Sequence, residues 1–408
     1  MKVDAAAAGM DEGRLARIDE HLRRNYLEQG KLAGCSVAVV RHGEVAHASY
    51  LGLADRERDV AVDEGTIWRI YSMTKPITGV ALMTLYEQGY FQLSDPVSRF
   101  IPSWKRQKVA VRGSDGTVEL VEPDRPVSVR DVMMHMSGIG YGTANADLDL
   151  GNPADRGSAP VIRHDASLEA MAERLADEPL RFQPGTHWLY SLGTDVCSRL
   201  VEVISGQPFD EYLRRVVFEP LGMVDTGFSV DDDRVGRLAA NYGRNSRREL
   251  VCIDDPQTSS YRRPPSFLSG GGGLVSTLPD YVRFASMLAN GGELDGRRVL
   301  GRKTVELMTL NHIPGGRGMA DVALPGSYGE VGFDGMGFGL TMAVSLGQAQ
   351  AQVIGSPGEF MWGGAASTTF WVDPAEDLAV VFMVQFMPSG TFNFRGQLKT
   401  LVYPAIVD

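Results

Sequence analysis

The chain has 408 residues, of which 43% are hydrophobic and 22% charged, and its 51 acidic and 40 basic side chains give a formal net charge of −11. This balance is typical of a globular protein and argues against a disordered one. Because the excess negative charge is not offset by any basic run, nucleic acid and anionic membranes are not expected as partners.

The length predicts two or three domains, or one large domain with an insertion. The first residues lack the apolar core of a signal peptide, and the apolar run at residues 378–384 is far too short to span a bilayer. The three cysteines are far apart and form no Cys-x-x-Cys pair, so neither a disulfide framework nor a zinc ribbon is indicated. The sequence therefore predicts a cytoplasmic protein.

Both ends of the chain have strand patterns. Apolar residues recur every three or four positions over residues 11–29, which predicts an amphipathic helix that ends near Gly30. Residues 35–40 and 44–51 flank a short turn and predict a β-hairpin. Towards the C-terminus the sequence predicts strands over residues 338–344, 367–372 and 378–386, followed by a helix over residues 394–405.

The middle of the chain has helical periodicity between long loops rich in Gly, Pro and Asp. The predicted helices cover residues 130–135, 168–177, 195–204, 209–217 and 279–290. Strands at both ends with helices between them predict an α/β (α+β) fold, with one antiparallel sheet built from both chain termini and flanked by helices. We expect this sheet domain at residues 1–93 and 266–408, and a mainly helical inserted domain at residues 94–265.

The sharpest local motif is Tyr-Ser-Met-Thr-Lys at residues 71–75, followed by a predicted helix over residues 76–88 that ends at Gly89. Ser72 then lies at or beside the helix N-cap, with Lys75 one turn later on the same face. A capping serine and a surface lysine would also explain the motif. However, a capping box has Glu or Gln where Lys75 stands, and the helix dipole disfavours an exposed cation there by about 0.3–1 kcal/mol. A neutral amine beside Ser72 could accept the hydroxyl proton, so both interpretations stay open.

Two further segments contain candidate site residues. Tyr190 lies in an irregular connection before a predicted helix, where its phenol could act as a base in a cleft or pack in the core. Trp362, Gly363 and Gly364 precede the strand predicted from residue 367. Paired glycines weaken a strand unless something must approach the backbone, so a substrate carbonyl bound to a main-chain N–H and a simple hairpin turn are both possible explanations.

In their order and spacing, the three segments resemble the motifs of class C β-lactamases and family VIII carboxylesterases, which share the β-lactamase/transpeptidase-like fold of penicillin-binding proteins. The similarity extends from about Asp11 to the C-terminus. Supporting segments lie at residues 132–138, 218–223 and 271–277.

The resemblance implies a role for each matching position. Ser72 would be the nucleophile, Lys75 the lysine of the first motif and Tyr190 the tyrosine of the Tyr-x-Asn motif. Trp362-Gly363-Gly364 would occupy the place of Lys-Thr-Gly. The backbone N–H groups of Ser72 and Ala365 would then form the oxyanion hole.

Two departures from the lactamase pattern bear on the substrate. Leu192 stands where the lactamases have Asn, and Trp362 stands where they have Lys, so the amide and the cation that would bind a β-lactam are missing. An indole suits an apolar acyl or alcohol group, whereas a carboxylate buried without a partner is costly. The resemblance therefore implies a serine carboxylesterase that hydrolyses neutral, short-chain esters through an acyl-enzyme on Ser72.

Other functions stay open at this stage. An acyltransferase would pass the same acyl group to an alcohol or amine, and a weak β-lactamase or D-Ala-D-Ala peptidase would use the same nucleophile. A binding protein that kept the fold without turnover is a further alternative. The chain contains neither a Gly-x-Ser-x-Gly elbow nor a His-Glu-x-x-His zinc pattern, so we expect no α/β-hydrolase triad, no metal and no organic cofactor. The expected partner is a small-molecule ester, and the sequence does not indicate an oligomeric state.

Overall fold

The computed structural model describes residues 1–141 and 167–408. Its largest element is an eight-stranded antiparallel sheet in which strands from the two ends of the chain meet. Residues 35 and 384 lie opposite each other where the first strand pairs with the last. The predicted α/β fold with one antiparallel sheet from both termini is therefore confirmed. In spatial order the strands are β12 (Met336–Phe338), β13 (Ala343–Ser345), β14 (Phe360–Gly363), β15 (Thr369–Asp373), β16 (Leu378–Val384), β1 (Gly34–Arg41), β2 (Glu44–Asp55) and β3 (Val60–Ala61).

Helices cover both faces of this sheet. The described α-helices are α1 (Glu12–Leu22), α2 (Thr74–Glu87), α3 (Val129–Met133), α4 (Leu168–Asp177), α5 (Gly193–Ser205), α6 (Phe209–Leu213), α7 (Glu219–Leu221), α8 (Leu278–Ala289), α9 (Arg302–Met308), α10 (Met319–Val322), α11 (Gln348–Ala351) and α12 (Phe394–Val402).

Two aromatic contacts show how the helices are divided between the faces. Phe370 of β15 contacts Tyr281 of α8, and Phe382 of β16 contacts Phe394 of α12, with ring centroids 5.2 and 5.3 Å apart. Phe370 lies opposite Val381, the neighbour of Phe382 along β16, so the two phenylalanines point to opposite faces. With a helix on each face, β1 is buried along its whole length.

The middle of the chain packs around α2 and α5, which contact each other. Every residue of α2 from Thr74 to Leu85 is buried, so this helix crosses the centre of the molecule rather than its surface. The predicted limits of the two domains, at residues 93 and 266, stay a prediction. The described residues also form four two-stranded ribbons: β4 (Trp68–Arg69) with β9 (Val275–Ser276), β5 (Val109–Arg112) with β6 (Val118–Val121), β7 (Asn241–Arg244) with β8 (Leu250–Asp254), and β10 (Glu293–Leu294) with β11 (Arg297–Arg298).

The structure differs from the sequence prediction at some element boundaries. The N-terminal helix is α-helical only to Leu22 and continues as a π-helical turn, Arg23–Leu27. The strand expected from residue 367 begins at Thr369, because Ser367 is in a turn with φ of 70°. In the two described stretches of chain, no helix is long and apolar enough to cross a bilayer.

Candidate active site

Ser72 lies in a tight turn in front of the buried helix α2. The turn is a 3₁₀ helix, Tyr71–Met73, and the N-cap of α2 is Met73. Ser72 therefore lies directly beside the cap, in agreement with the prediction. Tyr71 has φ of 43°, a left-handed conformation that costs a non-glycine residue about 1–3 kcal/mol. The turn leaves the Ser72 hydroxyl free of the helix end and available to other side chains.

Lys75 is fully buried, and its amine contacts the Ser72 hydroxyl. Lys75 Nζ lies 3.1 Å from Ser72 Oγ and donates a hydrogen bond of 2.5 Å to the carbonyl oxygen of Gly271. Burial lowers the pKa of Lys75 from 10.5 to about 8, although the carboxylates of Asp195 and Glu330 act in the opposite direction. A measurable fraction of the amine is therefore neutral near pH 7.

Tyr190 approaches Ser72 from the other side. Its hydroxyl donates a hydrogen bond of 2.8 Å to Ser72 Oγ, and Lys75 Nζ lies 4.6 Å from the centroid of its ring. Burial, and secondarily the charge of Glu330, raises the pKa of Tyr190 well above its ordinary value. The phenol is therefore protonated at neutral pH, and Lys75 is the better proton acceptor of the two.

The two glycines that follow Trp362 are needed for close packing. A side chain at Gly363 would collide with the guanidinium of Arg395, and one at Gly364 would collide with the carbonyl of Ile70, two residues before Ser72. Strand β14 therefore continues through Gly363, where the local sequence also allowed a turn. The close approach at Gly364 brings the end of β14 beside the Ser72 turn.

The predicted oxyanion donors are the N–H groups of Ser72 and Ala365. Across residues 1–141 and 167–408, the N–H groups of Ser72 and Ala365 have no hydrogen-bond acceptor, so both can bind a substrate oxygen. The Ala365 carbonyl accepts a hydrogen bond of 2.9 Å from the N–H of Ser389, which holds this segment in place.

Trp362 and Leu192 are both buried, at 0% and 1% exposure. The ring centroid of Trp362 lies 5.6 Å from that of Tyr190, and Leu192 is the N-cap residue of α5, directly after the Tyr190 segment. Arg395 lies behind β14, on the face opposite Trp362, because adjacent strand residues alternate and Gly363 faces the guanidinium. It forms an ion pair of 3.4 Å with the buried carboxylate of Glu330.

Sequence reasoning missed two aromatic residues beside Tyr190. Tyr141 and Tyr328 flank Tyr190, with ring centroids 5.4 and 6.0 Å from its ring. The Tyr328 hydroxyl lies 2.5 Å from Ser389 Oγ, which in turn donates to Glu330 at 2.9 Å. Neither tyrosine belongs to a motif or to a periodic segment, so no local signal pointed to them.

It also missed the carboxylates near Lys75. Asp195, in the first turn of α5, is 1% exposed and accepts hydrogen bonds from Ser269 Oγ at 2.6 Å and from the N–H of Gly271 at 3.0 Å. Asp195 is the first residue of the helix predicted over residues 195–204, where an acidic side chain is common, so no local signal pointed to a role in the site. No group of His, Cys, Asp and Glu side chains suited to a metal ion occurs in the described parts of the chain.

The comparisons with known proteins agree with one another on the family of this chain. A family model described as Beta-lactamase matches residues 19–402. Esterase EstB from Burkholderia gladioli is 30% identical over 402 residues, which cover 93% of each chain. Lovastatin esterase from Penicillium rubens is 28% identical over 342 residues, covering 80% of this chain and 82% of that protein.

A solved structure, EstCE1, a hydrolase with promiscuous acyltransferase activity, is 26% identical, with a TM-score of 0.78 over 97% of this chain and 99% of that one. The fold and these matches together confirm the resemblance inferred from the motifs. The chain belongs to the beta-lactamase family.

Proposed function

We propose that the protein is a serine carboxylesterase that hydrolyses neutral, short-chain esters through an acyl-enzyme on Ser72. The observation that carries the proposal is the position of Ser72 Oγ, 3.1 Å from Lys75 Nζ and 2.8 Å from the Tyr190 hydroxyl. A nucleophile within hydrogen-bond reach of a base is the arrangement that serine acyl transfer requires. Relatives named as esterases, covering most of the chain, add support.

Lys75 is the general base in this mechanism. With a pKa of about 8, roughly one Lys75 in ten is neutral at pH 7, whereas the phenol of Tyr190 keeps its proton. Ser72 Oγ attacks the acyl carbon, and its proton passes to Lys75 Nζ. The oxyanion formed accepts hydrogen bonds from the N–H groups of Ser72 and Ala365.

Collapse of the tetrahedral intermediate breaks the bond between the acyl carbon and the alcohol oxygen. The leaving alcohol takes a proton from Tyr190, which is re-protonated by Lys75, and the acyl group stays on Ser72. Water then attacks the acyl carbon and gives a proton to Lys75. The bond between the acyl carbon and Ser72 Oγ breaks, Lys75 returns the proton to Ser72 Oγ, and the acid is released. The amine is neutral again at the end of the cycle, so protons balance without a cofactor.

Specificity for neutral esters follows from the buried, apolar side chains of Trp362 and Leu192. A β-lactam carboxylate would find an indole where the lactamases have a lysine. Losing one charge-assisted hydrogen bond costs about 1.5–3 kcal/mol, roughly 10- to 150-fold in binding. Weak β-lactamase or D-Ala-D-Ala peptidase activity is thus the less favoured use of the same nucleophile.

Acyl transfer is the second candidate function. EstCE1, the 26% identical hydrolase with promiscuous acyltransferase activity, favours it. The rings of Tyr141 and Tyr328 beside Tyr190 offer an apolar surface on which an acceptor alcohol could displace water from the acyl-enzyme. The cytoplasmic location and the lack of nucleic-acid and membrane partners stay predictions.

The test compares p-nitrophenyl butyrate with nitrocefin for the wild type, Ser72→Ala and a control. Ser72→Ala should lower the esterase rate on the order of 10³-fold or more. The matched control is Ser103→Ala, at a buried serine bonded to Glu173, which should keep the wild-type rate. Esterase activity retained by Ser72→Ala, or a fluorophosphonate label mapped to another serine, would exclude the proposed nucleophile. Adding a short alcohol and measuring new ester against free acid separates transfer from hydrolysis.

A further inference from the structure

We propose that Asp195 is a positioning residue for the catalytic base: it holds Lys75 through the Gly271 backbone and keeps the amine basic. The proposal rests on the proposed function, in which Lys75 takes the proton of Ser72. The contacts form a chain, because Asp195 Oδ1 accepts the N–H of Gly271 at 3.0 Å and the Gly271 carbonyl accepts Lys75 Nζ at 2.5 Å.

The segment around Gly271 is fitted closely to α5. Ser269 Oγ donates to the same Asp195 oxygen at 2.6 Å, so one carboxylate fixes the segment at two points. A side chain at Gly271 would collide with Asp195 Oδ2, and one at Gly270 would collide with Ser198 Oγ. Asp195 therefore determines where the Gly271 carbonyl lies, and this carbonyl orients the Lys75 amine.

Asp195 also acts on Lys75 by its charge. Of the carboxylates that raise the Lys75 pKa, Asp195 acts most strongly and Glu330 second. In the described stretches of chain, Asp195 forms no ion pair, whereas Glu330 is paired with Arg395. Burial raises the pKa of Asp195, whereas the charge of Lys75 and the hydrogen bonds from Ser269 and Gly271 lower it. The charge of Asp195 in turn opposes the effect of burial on the amine.

Among the described residues, the other titratable groups that face Lys75 are Tyr190, Tyr141 and His135. Lys75 Nζ lies 4.6 Å from the Tyr190 ring centroid and 5.9 Å from that of Tyr141. Burial and the charge of Lys75 lower the pKa of His135, so this imidazole is neutral at pH 7 and adds no charge. Burial keeps both phenols protonated. Asp195 and Glu330 are therefore the charges that set the pKa of the amine.

The test is the pH dependence of Asp195→Asn, which keeps the size and one acceptor oxygen but removes the charge. The acid limb of kcat/KM, which reports protonation of Lys75, should move to lower pH by about one unit or more. The limiting rate should fall about tenfold or more, because the amide also disturbs the Gly271 contact. The matched control is Asp280→Asn in α8, a buried carboxylate bonded to Thr226, which should leave the limb unchanged.

A purely structural role would lower the rate without moving the limb, and that result would overturn the proposal. Asp195→Glu keeps the charge and should keep the wild-type limb even if the rate falls. If the acid limb of kcat/KM shifts in Asp195→Glu as far as it does in Asp195→Asn, the result contradicts the proposal. If Asp195→Asn does not fold, Asp195→Ser is taken through the same measurements.

Two further readouts separate this proposal from the proposed function. The rate at which a fluorophosphonate labels Ser72 should show the same shift of its acid limb. Titration of Lys75 Cε by ¹³C NMR needs no substrate, and it should give a lower pKa in Asp195→Asn than in the wild type. A protein that hydrolyses no ester and is not labelled at Ser72 refutes the esterase proposal, while an unshifted NMR titration refutes the role of Asp195.

Discussion

Burying the Lys75 amine should make the stability of the protein depend on pH in a way that Lys75→Met abolishes. Folding lowers the pKa of this lysine from 10.5 to about 8, because the core penalises its charged form. Methionine has an unbranched, apolar side chain of similar length, so it removes the charge without leaving a large cavity. The stability of the wild type should therefore rise with pH relative to that of Lys75→Met.

The size of this effect follows from the pKa change. One pKa unit corresponds to 1.36 kcal/mol, so the shift from 10.5 to about 8 is worth about 3 kcal/mol. Between these two pH values the unfolded chain holds the lysine proton and the folded chain has lost it, so the free energy of unfolding rises with pH. The full contribution is present above the unfolded pKa and is lost as pH falls to that of the folded state. Between pH 7 and pH 9.5 the wild type should gain about 2 kcal/mol over the variant.

Urea unfolding followed by circular dichroism at pH 7, 8 and 9.5 measures this difference. Subtracting the free energies of the two proteins at each pH cancels the groups that titrate in both. The control is Lys105→Met, at an exposed lysine, which should follow the wild type. Parallel pH dependences for Lys75→Met and wild type would refute the reasoning, because they would mean that folding leaves the Lys75 pKa unchanged.

Four other substitutions test the site. Lys75→Ala and Tyr190→Phe should each lower kcat on the order of 10²–10⁴-fold. In the double variant kcat should be little lower than in the slower single variant, because the two residues share one proton path. Additive losses of kcat in steady-state kinetics would mean that the proton paths are separate. Gly364→Ala should slow phosphonate labelling of Ser72, because the new Cβ would collide with the Ile70 carbonyl and displace the N–H of Ala365, the proposed oxyanion donor. An unchanged labelling rate would argue against Ala365 as a donor. Trp362→Lys should narrow the gap between butyrate ester and nitrocefin turnover, and an unaltered ratio would contradict the specificity argument.

Most of the sheet could be predicted from the sequence because its strands carry local patterns. Residues 338–344, predicted as one strand, instead connect the end of β12 to β13. Strand β14 could not be predicted, since Gly363 and Gly364 look like a turn when only neighbouring residues are considered. The need for glycine at these two positions is explained by the close approach of Arg395, more than 30 residues later, and of Ile70, nearly 300 residues earlier. Contacts at such separations leave no periodic signal in the chain.

Some residues of the candidate site could likewise be predicted from the sequence, and others could not. Ser72, Lys75 and Tyr190 could be proposed because they lie in short motifs with a recognisable order. Asp195 and Glu330 could not, because their importance arises only when the chain brings them near Lys75 from segments far away in sequence. Asp195 also resembles an ordinary helix-capping residue. Charges that tune a base are therefore harder to find from sequence than the base itself.

The pairing of β1 with β16 imposes an order of events during synthesis. Residue 35 is made nearly 350 residues before residue 384, its partner across the sheet. At about 5–20 residues per second, the ribosome takes roughly 20–70 s to deliver the missing strand. Throughout that interval one edge of β1, whose side chains are all destined for the core, has no strand beside it. A chain that stops before β16 should therefore aggregate instead of forming a partly active fragment, and a gene truncated ahead of this strand should yield no soluble protein.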